Sequence, residues 1–391
     1  MIHIFMNALA ATAGGGLTYV RNVLPRLALR DDVHTTVLVN QQLGAEITPS
    51  ARVTVAQTDC PAGAARRFCY EQRNLPHIIR RSGAEILLST GNFALYRSPV
   101  PQILLSRNAL YTSADFLRDL RERGDYLLWL DTEVKAALAR WSVRTADCTV
   151  APSAAFAHEL QLWTGNDVVC IHHGFDHESF FRDPSPLPQP VQAQIAATEG
   201  SLRLLFVSNY NYYRNFETLI RAIAILKKSL GHRSVRLLLT CKLNSEDNPG
   251  DYRADTAAEL VRQLGLRQEV VELGTVPYHL LHHVYRVCDF YATPAYAETF
   301  AHPLVEAMAS GLPVIASDLA VHREICREAA LYFPRLSPEE LAERVSEAAQ
   351  STEQTAAMRE AGIVRARDFS WEKHVEELLA LARRLSATHF A

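Results

Sequence analysis

The sequence has few features that would tie the chain to a membrane or an oxidising compartment. No apolar run approaches the ~20 residues of a membrane-spanning helix. Its seven cysteines are scattered without C-x-x-C spacing, and this odd number favours reduced thiols over a disulfide framework. The opening residues MIHIFMN are too short and too polar for a signal peptide. Together these absences predict a soluble, cytoplasmic protein.

The sequence also lacks an excess of charge and the glycine spacing of dinucleotide-binding proteins. Lys and Arg number 40 against 43 Asp and Glu, for a formal net charge of −3. Proteins that bind the nucleic-acid backbone carry a clear basic excess, so we expect no nucleic-acid partner. After Gly14 and Gly16, the G-x-G-x-x-G spacing requires a glycine where Tyr19 stands. A nicotinamide-dependent oxidoreductase is therefore disfavoured.

The chain instead alternates apolar strand-like runs with amphipathic helical stretches. The strand candidates of the first half are Ile2–Met6, Thr36–Val39, Glu85–Leu88, Gln102–Leu105, Cys148–Ala151 and Val168–Ile171. Those of the second half are Arg203–Val207, Val235–Thr240, Val270–Leu273, Phe290–Ala292, Pro313–Ala316 and Leu331–Phe333. Helical patterns between them include Leu17–Leu29, Phe216–Leu230 and Ala257–Leu264. Such alternation predicts an α/β fold with parallel sheets covered by helices.

The length of the chain indicates two domains. A chain of 391 residues exceeds one average hydrophobic core. The halves are separated by the proline-rich run RDPSPLPQP at residues 182–190, which is typical of a domain boundary. We therefore predict two Rossmann-like, doubly wound domains, residues 1–181 and 191–370, that face each other across a cleft.

The stretch ETFAHPLVEAMASG is the most informative part of the sequence and contains two glutamates, Glu298 and Glu306. Pro303 suits the first turn of a helix, and the free N–H groups of Leu304 and Val305 would then form a seat for a phosphate. Glu306 is expected on the opposite side of this helix, facing a cleft. A single glutamate in such a place is usually only solvated. Two carboxylates that flank the start of one helix are less often accidental.

Glu298 and Glu306, together with the following ASGLPVIAS, resemble the signature of the retaining, nucleotide-sugar-dependent glycosyltransferases of family 4. The resemblance implies the GT-B fold, and a final helix at 371–391 that returns to the first domain. It implies transfer of a hexose-type sugar from a UDP- or GDP-sugar to a hydroxyl of a glycan, glycolipid or small molecule. The anomeric configuration would be retained, and neither a metal nor another cofactor is expected.

The resemblance also assigns roles to individual residues. Glu298 and Arg214 would be catalytic, Glu298 beside the transferred sugar and Arg214 on the donor diphosphate. Glu306 would accept hydrogen bonds from the ribose hydroxyls. The other donor contacts that it implies are Gly15, Gly16, Asn108, Asn209, Val276, Phe300, Ala301, His302, Leu304 and Val305. No metal ligands are expected, since the run HHGFDH at 172–177 resembles the turn that closes the first domain in this family.

Several positions depart from the family pattern. Asn108 stands where members often have a histidine that touches the sugar, and Asn209 replaces an arginine that neutralises the diphosphate. Arg214 keeps the cation of the usual lysine. Thr299 and Ala301 replace glycines, and their β-carbons would narrow the donor pocket. These losses leave open a non-catalytic sugar-nucleotide-binding scaffold, and a GT-B nucleotide-sugar epimerase is a second alternative.

Possible acceptor-side surfaces lie in the first half. Residues 57–81 and 92–97 are the variable segments where an acceptor is expected. In residues 115–141, arginines alternate with aromatic residues and leucines. One interpretation is peripheral contact with the inner face of an anionic membrane or with a lipid-linked acceptor. Interspersed acidic residues favour the other interpretation, a packed helix pair that covers the sheet.

Overall fold

The computed structural model describes residues 1–12, 14–58, 60–61, 63–231, 233–248 and 252–389. These residues form two compact units. The first unit comprises residues 1–112, 130–174 and the chain from 370 onward, and the second comprises 113–129 and 175–369. The proline-rich run at 182–190 lies within the second unit. Residues 113–129, which the sequence analysis placed in the N-terminal domain, also belong to the second unit.

The first unit contains one parallel sheet. Its strands are β1 (Ile2–Asn7), β2 (Val33–Val39), β3 (Val53–Gln57), β4 (Ile86–Ser89), β5 (Gln102–Leu105), β6 (Cys148–Ala151) and β7 (Val168–Cys170). They are ordered β3-β2-β1-β4-β5-β6-β7. In register, Ile4 of β1 lies between Thr35 of β2 and Ile86 of β4. The central strands are buried along nearly their whole length, as in sheets covered on both faces.

The second unit repeats this arrangement. Its strands are β8 (Leu202–Phe206), β9 (Val235–Leu239), β10 (Val270–Glu272), β11 (Phe290–Thr293), β12 (Val314–Ser317) and β13 (Ala330–Phe333). All pair in parallel, in the order β10-β9-β8-β11-β12-β13. In each sheet the chain therefore starts at a central strand and adds two strands on one side. It then crosses back to add the remaining strands on the other side.

Helices connect the strands of both sheets. In chain order they are α1 (Gly14–Ala28), α2 (Gln41–Glu46), α3 (Ala64–Ser82), α4 (Ala114–Glu122), α5 (Tyr126–Thr145), α6 (Ala154–Thr164), α7 (His177–Phe181), α8 (Gln189–Ala196), α9 (Phe216–Ser229), α10 (Asp255–Gln263), α11 (Leu281–Arg286), α12 (His302–Ala309), α13 (Ala320–Cys326), α14 (Pro338–Gln350), α15 (Thr352–Ala366) and α16 (Trp371–His389). In the described part of the chain, none of these helices is both long and apolar enough to cross a membrane.

Helix α16 is built into the core of the first unit. Trp371, Leu378 and Leu379 are buried in the same cluster as the apolar residues of β1 and α1. Gly174 lies so close to this helix that a β-carbon there would be 2.1 Å from the Trp371 nitrogen. Only glycine permits this approach. The His173–Gly174 turn therefore has a packing role in the first unit.

The predicted α/β fold class, with two doubly wound parallel sheets, is confirmed. Each of the twelve predicted strands is present, with ends shifted by at most three residues. The sequence did not predict strand β3. This strand lies at an edge of the sheet, and its residues alternate only weakly between buried and exposed, so the pattern of a strand is faint. The predicted helix at Leu17 begins earlier, at Gly14, so that Gly15 and Gly16 lie in its first turn.

Candidate functional site

The candidate site of the second unit lies where strands β8 and β11 end. These strands are neighbours in the sheet, and Arg214 follows the first while Glu298 follows the second. Because parallel strands end at the same edge, the two loops meet there. The Arg214 Nη1 donates a hydrogen bond to Glu298 Oε2. The two residues that the sequence assigned to catalysis are thus in direct contact.

The Arg214–Glu298 pair is largely shielded from water. The side chains are 20% and 11% exposed, respectively. Burial alone would raise the pKa of Glu298, but the Arg214 guanidinium and the Thr299 N–H, which donates to Oε1 at 3.0 Å, together outweigh burial, and the pKa is lowered. Burial opposes the charge of Arg214 as well, and Glu298 raises its pKa in turn. Each group therefore keeps its charge because the other is present.

Backbone contacts hold the two loops together. The Tyr296 N–H donates to the Tyr213 carbonyl at 3.0 Å. Asn215, in the left-handed conformation with φ 56°, donates from its side chain to the carbonyls of Pro294 at 3.1 Å and Arg335 at 2.8 Å. Asparagine tolerates this conformation better than most residues. The position of Arg214 is therefore fixed from both sides of the loop.

Helix α4 packs against the same loops. Asp115 forms hydrogen bonds with Arg335 at 2.7 Å, and Asp119 accepts one from the Tyr296 hydroxyl at 2.6 Å. Arg123 joins Asp119 at 2.7 Å to Glu217 of α9 at 3.0 Å. Helix α4, the first of the predicted packed helix pair, belongs to the second unit. There, α4 braces the segments that carry the Arg214–Glu298 pair.

Glu306 has a different environment from the one expected. It is only 4% exposed, and its Oε2 accepts a hydrogen bond from the Tyr285 hydroxyl at 2.8 Å. Burial raises the pKa of Glu306 to about 7, although Tyr285 and Tyr278 oppose the shift by hydrogen bonding. The sequence placed this residue on the side of α12 that faces a cleft. In the structure, Tyr285 of α11 covers its carboxylate.

Tyr291 of β11 lies in the same region as Arg214, Glu298 and Glu306. This side chain is buried, which raises the pKa of its hydroxyl. Arg214 lowers that pKa, whereas Glu306 and Glu298 raise it. The Tyr291 ring lies 6.1 Å from the ring of Tyr285, whose hydroxyl donates to Glu306. The structure therefore gathers Arg214, Glu298 and Glu306 at one end of the second sheet.

The start of α12 corrects one detail of the predicted phosphate seat. Ala301, just before the helix, has φ 64° and ψ 66°, which is left-handed. Its carbonyl accepts the Leu304 N–H at 3.0 Å, so that amide is not free as expected. The side chains of Leu304 and Val305 are buried in the core. Pro303 lies in the first turn, as predicted.

The remaining predicted donor contacts of the second unit lie in loops near these strands. Asn209 is exposed, and its carbonyl accepts a hydrogen bond from Ser208 Oγ at 2.7 Å. Val276 is 7% exposed in the loop after β10. Phe300 is buried, and its ring packs against those of His302 at 4.9 Å and Phe369 at 5.3 Å. Phe300 is thus a packing residue whose side chain faces the core.

In the first unit, the glycine turn is held by a residue that the sequence analysis did not choose. The Arg107 Nη1 donates to the Gly15 carbonyl at 3.1 Å, and Nη2 donates to the Thr90 carbonyl. Its guanidinium lies 4.9 Å from the centre of the Tyr19 ring. Burial lowers the pKa of Arg107 to about 10. Arg107 and Gly15 are 92 residues apart in the chain, so the sequence carries no signal of this contact, and the resemblance singles out the neighbour of Arg107 instead.

That neighbour, Asn108, has a local structural role. Its Oδ1 accepts the Leu110 N–H at 3.0 Å and caps a short 3₁₀ turn. Gly15 has open space where a β-carbon would be, whereas one on Gly16 would lie 3.4 Å from Ala11. Gly15, Gly16 and Asn108 therefore lie in the first unit, apart in the chain from the charged cluster of the second.

His322 is a further neighbour of Glu298 that the sequence did not reveal. It is buried, with Nδ1 3.0 Å from Ser317 Oγ. Burial lowers the pKa of His322 to about 4, despite the opposing charge of Glu298. The ring is therefore neutral at physiological pH. A lone histidine in a helical stretch gave no signal of this position.

Two doubly wound parallel sheets, with a charged cluster at the strand ends of the second, define the GT-B class of fold. Residues 190–365 match the family described as glycosyl transferases group 1. This agrees with the resemblance found in the sequence. The assignment to family 4 within this group is consistent with the match.

Curated relatives are similar over part of their length. The D-inositol 3-phosphate glycosyltransferase of Nocardia farcinica is 32% identical over 128 residues, which are 33% of this chain and 28% of that protein. The protein of the same name from Rhodococcus erythropolis is 27% identical over 201 residues, or 51% of this chain and 45% of the relative. The chain thus matches less than half the length of these two relatives.

Solved structures share the fold over nearly the whole chain. The sucrose-phosphate synthase of Thermosynechococcus elongatus has a TM-score of 0.77 and covers 99% of this chain and 100% of its own, at 18% identity. HepE of Anabaena, in complex with UDP and glucose, has a TM-score of 0.70 at 17% identity. The match covers 98% of this chain and 100% of the HepE chain. At such identities the likeness establishes the GT-B fold alone.

Proposed function

We propose that the protein is a retaining glycosyltransferase that moves a hexose-type sugar from a UDP- or GDP-sugar to a hydroxyl acceptor. The observation that carries this proposal is the buried Arg214–Glu298 pair, with Glu306 near the same Tyr291 ring, inside the segment that matches group 1 glycosyl transferases. HepE, whose structures contain UDP or UDP-glucose, supports the choice of donor class. The acceptor class remains a glycan, glycolipid or small molecule.

In the proposed reaction, the charged residues act on the two ends of the donor. Arg214 binds the diphosphate and stabilises the negative charge that develops as it leaves. Since Arg214 is paired with Glu298 here, donor binding exchanges part of that ion pair for a contact between guanidinium and phosphate. Glu298 is then available to the sugar, where positive charge develops. Glu306 accepts hydrogen bonds from two ribose hydroxyls.

The proposed stereochemistry and metal independence follow from the resemblance. The acceptor attacks from the face that the diphosphate leaves, and the diphosphate assists in removing the acceptor proton. We therefore assign no protein nucleophile. The arginine cation replaces a metal ion in neutralising the leaving group. A cytoplasmic location, where nucleotide sugars are the donors, completes the proposal.

A panel of thermal-shift measurements tests the donor class. UDP-, GDP- and ADP-sugars and NAD are each added to the intact protein, with and without EDTA. A donor at about 100 times its Kd stabilises the folded protein by about 2.7 kcal/mol. We expect such a shift with a UDP- or GDP-sugar and no change on adding EDTA. Stabilisation by NAD alone contradicts the proposal.

Product analysis separates the proposed transferase from its alternatives. Proton NMR of the product formed with a soluble sugar acceptor is expected to show the anomeric configuration of the donor. Binding of a sugar nucleotide without transfer or slow hydrolysis, for every acceptor tried, favours the scaffold. Conversion of one nucleotide sugar into its epimer without any acceptor favours the epimerase. An inverted product contradicts retention.

A further inference from the structure

Helix α5 of the first unit points its large apolar side chains outward. Leu130, Val134 and Trp141 are 56%, 53% and 58% exposed. Their spacings of four and seven residues place them on one face of the helix. The residues that α5 buries are mostly small, namely Thr132, Ala136, Ala139, Ser142 and Val143. An ordinary surface helix has the reverse arrangement, so this face indicates an interaction site.

Helix α3 presents a row of positive charge. Arg66, Arg73 and Arg80 are exposed and recur every seven residues, which aligns them along one side of the helix. Arg81 is exposed beside the end of the row. The acidic residue within α3, Glu71, is only 8% exposed and therefore does not balance the row at the surface. The solvent side of α3 is thus strongly basic.

A chain of aromatic rings connects α3 with α5. Phe68 of α3 contacts Tyr96 with 5.8 Å between ring centres, and Tyr96 stacks on Trp141 of α5 at 4.7 Å. Helices α3 and α5 therefore lie on either side of the loop that carries Tyr96. We call these six residues the docking patch: Leu130, Val134, Trp141, Arg66, Arg73 and Arg80. Asp131, the exposed acid next to Leu130, is paired with Lys135 at 2.5 Å.

We propose that the docking patch binds the surface of a membrane that contains anionic lipid. Leu130, Val134 and Trp141 would enter the boundary between headgroups and acyl chains, and the α3 arginines would contact the anionic headgroups. Trp141 suits this depth because its ring is apolar and its N–H is polar. The packed interpretation of α5, favoured by the sequence, thus does not account for its outer face.

Charge complementarity favours a membrane over a second copy of the chain. In a two-fold dimer the docking patch would meet its own copy, and no residue of the patch is acidic, so the arginine row would have no opposite charge to pair with. An anionic lipid surface supplies the opposite charge and an apolar layer at once. It therefore matches both rows of the docking patch.

Co-sedimentation of the intact protein with vesicles tests the docking patch. Vesicles of pure phosphatidylcholine are compared with vesicles containing a third of phosphatidylglycerol, at low and high salt. We expect binding only to the anionic vesicles and release by salt. Arg66→Gln, Arg73→Gln and Arg80→Gln combined should weaken binding roughly a hundredfold. Leu130→Gln, Val134→Gln and Trp141→Gln combined should reduce binding strongly even at low salt.

Matched controls exclude general effects of the substitutions. Leu29→Gln changes a leucine that is 84% exposed on the first unit outside the patch, and Arg384→Gln removes an exposed arginine of α16. Both should bind vesicles as the wild type does. Vesicle binding is measured without nucleotide, so an absence of vesicle binding does not contradict the proposed transferase function. The thermal shift with a sugar nucleotide should be unchanged in all patch variants.

Three results overturn the proposal. The first is equal binding to neutral and anionic vesicles, or binding to neither. The second is unchanged binding when both rows of the patch are substituted. The third is a dimer by light scattering that the Trp141→Gln substitution converts to a monomer, which assigns the patch to a second copy instead. Circular dichroism spectra of the variants establish that each result refers to folded protein.

Discussion

Glu298 and Glu306 lie on either side of the start of α12, and both are largely buried, but their charges are stabilised differently. Glu298 has a guanidinium partner, and its pKa is lowered. Glu306 is hydrogen-bonded by tyrosine hydroxyl groups among the described residues, and burial raises its pKa to about 7. The first carboxylate is therefore compensated before any ligand binds. The second lacks compensation, which a ligand that donates hydrogen bonds would supply.

Glu298→Gln should have the largest effect on both stability and turnover. The substitution leaves Arg214 buried without a countercharge, so the free energy of unfolding should fall by about 3 kcal/mol. Turnover should fall by roughly 100-fold, because a group that faces the reacting sugar is lost. Urea denaturation and steady-state kinetics measure the two effects.

A surface ion pair provides the control for Glu298→Gln. Glu347 pairs with Arg344, and their side chains are 38% and 32% exposed. Glu347→Gln should change the free energy of unfolding by less than about 1 kcal/mol, since surface pairs contribute little. If Glu298→Gln is no more destabilising than Glu347→Gln, the buried pair does not stabilise the fold as described.

Glu306→Gln should have the opposite effect on stability. The pKa of Glu306 is about 7 in the folded protein against 4.5 for the free group. The folded state therefore binds this proton more tightly than the unfolded state, so stability declines as pH rises from about 4.5 to about 7. Above pH 7 the wild type has lost about 3 kcal/mol through this group. The glutamine variant should be more stable than the wild type at pH 8 and lack this decline.

Nucleotide binding by Glu306→Gln separates stability from function. Ribose hydroxyls donate to the ionised carboxylate, so the affinity of the wild type for a sugar nucleotide should rise with pH up to about 7. The variant should bind at least roughly tenfold more weakly at pH 8, since glutamine retains one acceptor oxygen. Calorimetric titration at pH 6 and pH 8 measures this. Equal affinities for wild type and variant would remove Glu306 from the proposed site.

The two glutamates also show which features of the site the sequence predicts and which it does not. The fold and the strands followed from periodicity. The contact between Arg214 and Glu298 was not predicted, because the resemblance assigns Arg214 to the donor diphosphate and Glu298 to the sugar. The burial of Glu306 did not follow, because its cover, Tyr285, comes from another helix. Likewise, Asp119 meets Tyr296 far along the chain. Local patterns do not encode such tertiary contacts.

The first unit gives a second example. The resemblance singles out Asn108, whose oxygen caps a turn, whereas the hydrogen bond from Arg107 to the Gly15 carbonyl joins residues that are far apart in the chain. The acidic residues of 115–141 favoured a packed helix pair, and nothing in the sequence indicated that Leu130, Val134 and Trp141 would be more than half exposed. Which face of a helix is covered depends on its neighbours. The sequence of one helix does not specify them.

The smallest expected effect concerns the backbone between the two glutamates. Ala301 is left-handed, with φ 64°, a conformation that costs about 1 kcal/mol for a residue with a β-carbon. Ala301→Gly should therefore stabilise the protein by about 1 kcal/mol, which differential scanning calorimetry would detect as a rise of roughly 2–4 °C in Tm. Ala309→Gly, at the other end of α12, is the control and should destabilise by about 1 kcal/mol.

Ala301→Gly also tests whether the backbone geometry near Glu298 and Glu306 determines which donor sugars the protein accepts. Removing the β-carbon widens the loop that precedes α12, so the variant should accept sugars that the wild type binds poorly. The ratio of kcat/KM for two donors that differ in the sugar measures this. A gain in stability without a change in that ratio limits Ala301 to a conformational role. A loss of stability means that the left-handed backbone at Ala301 is not strained.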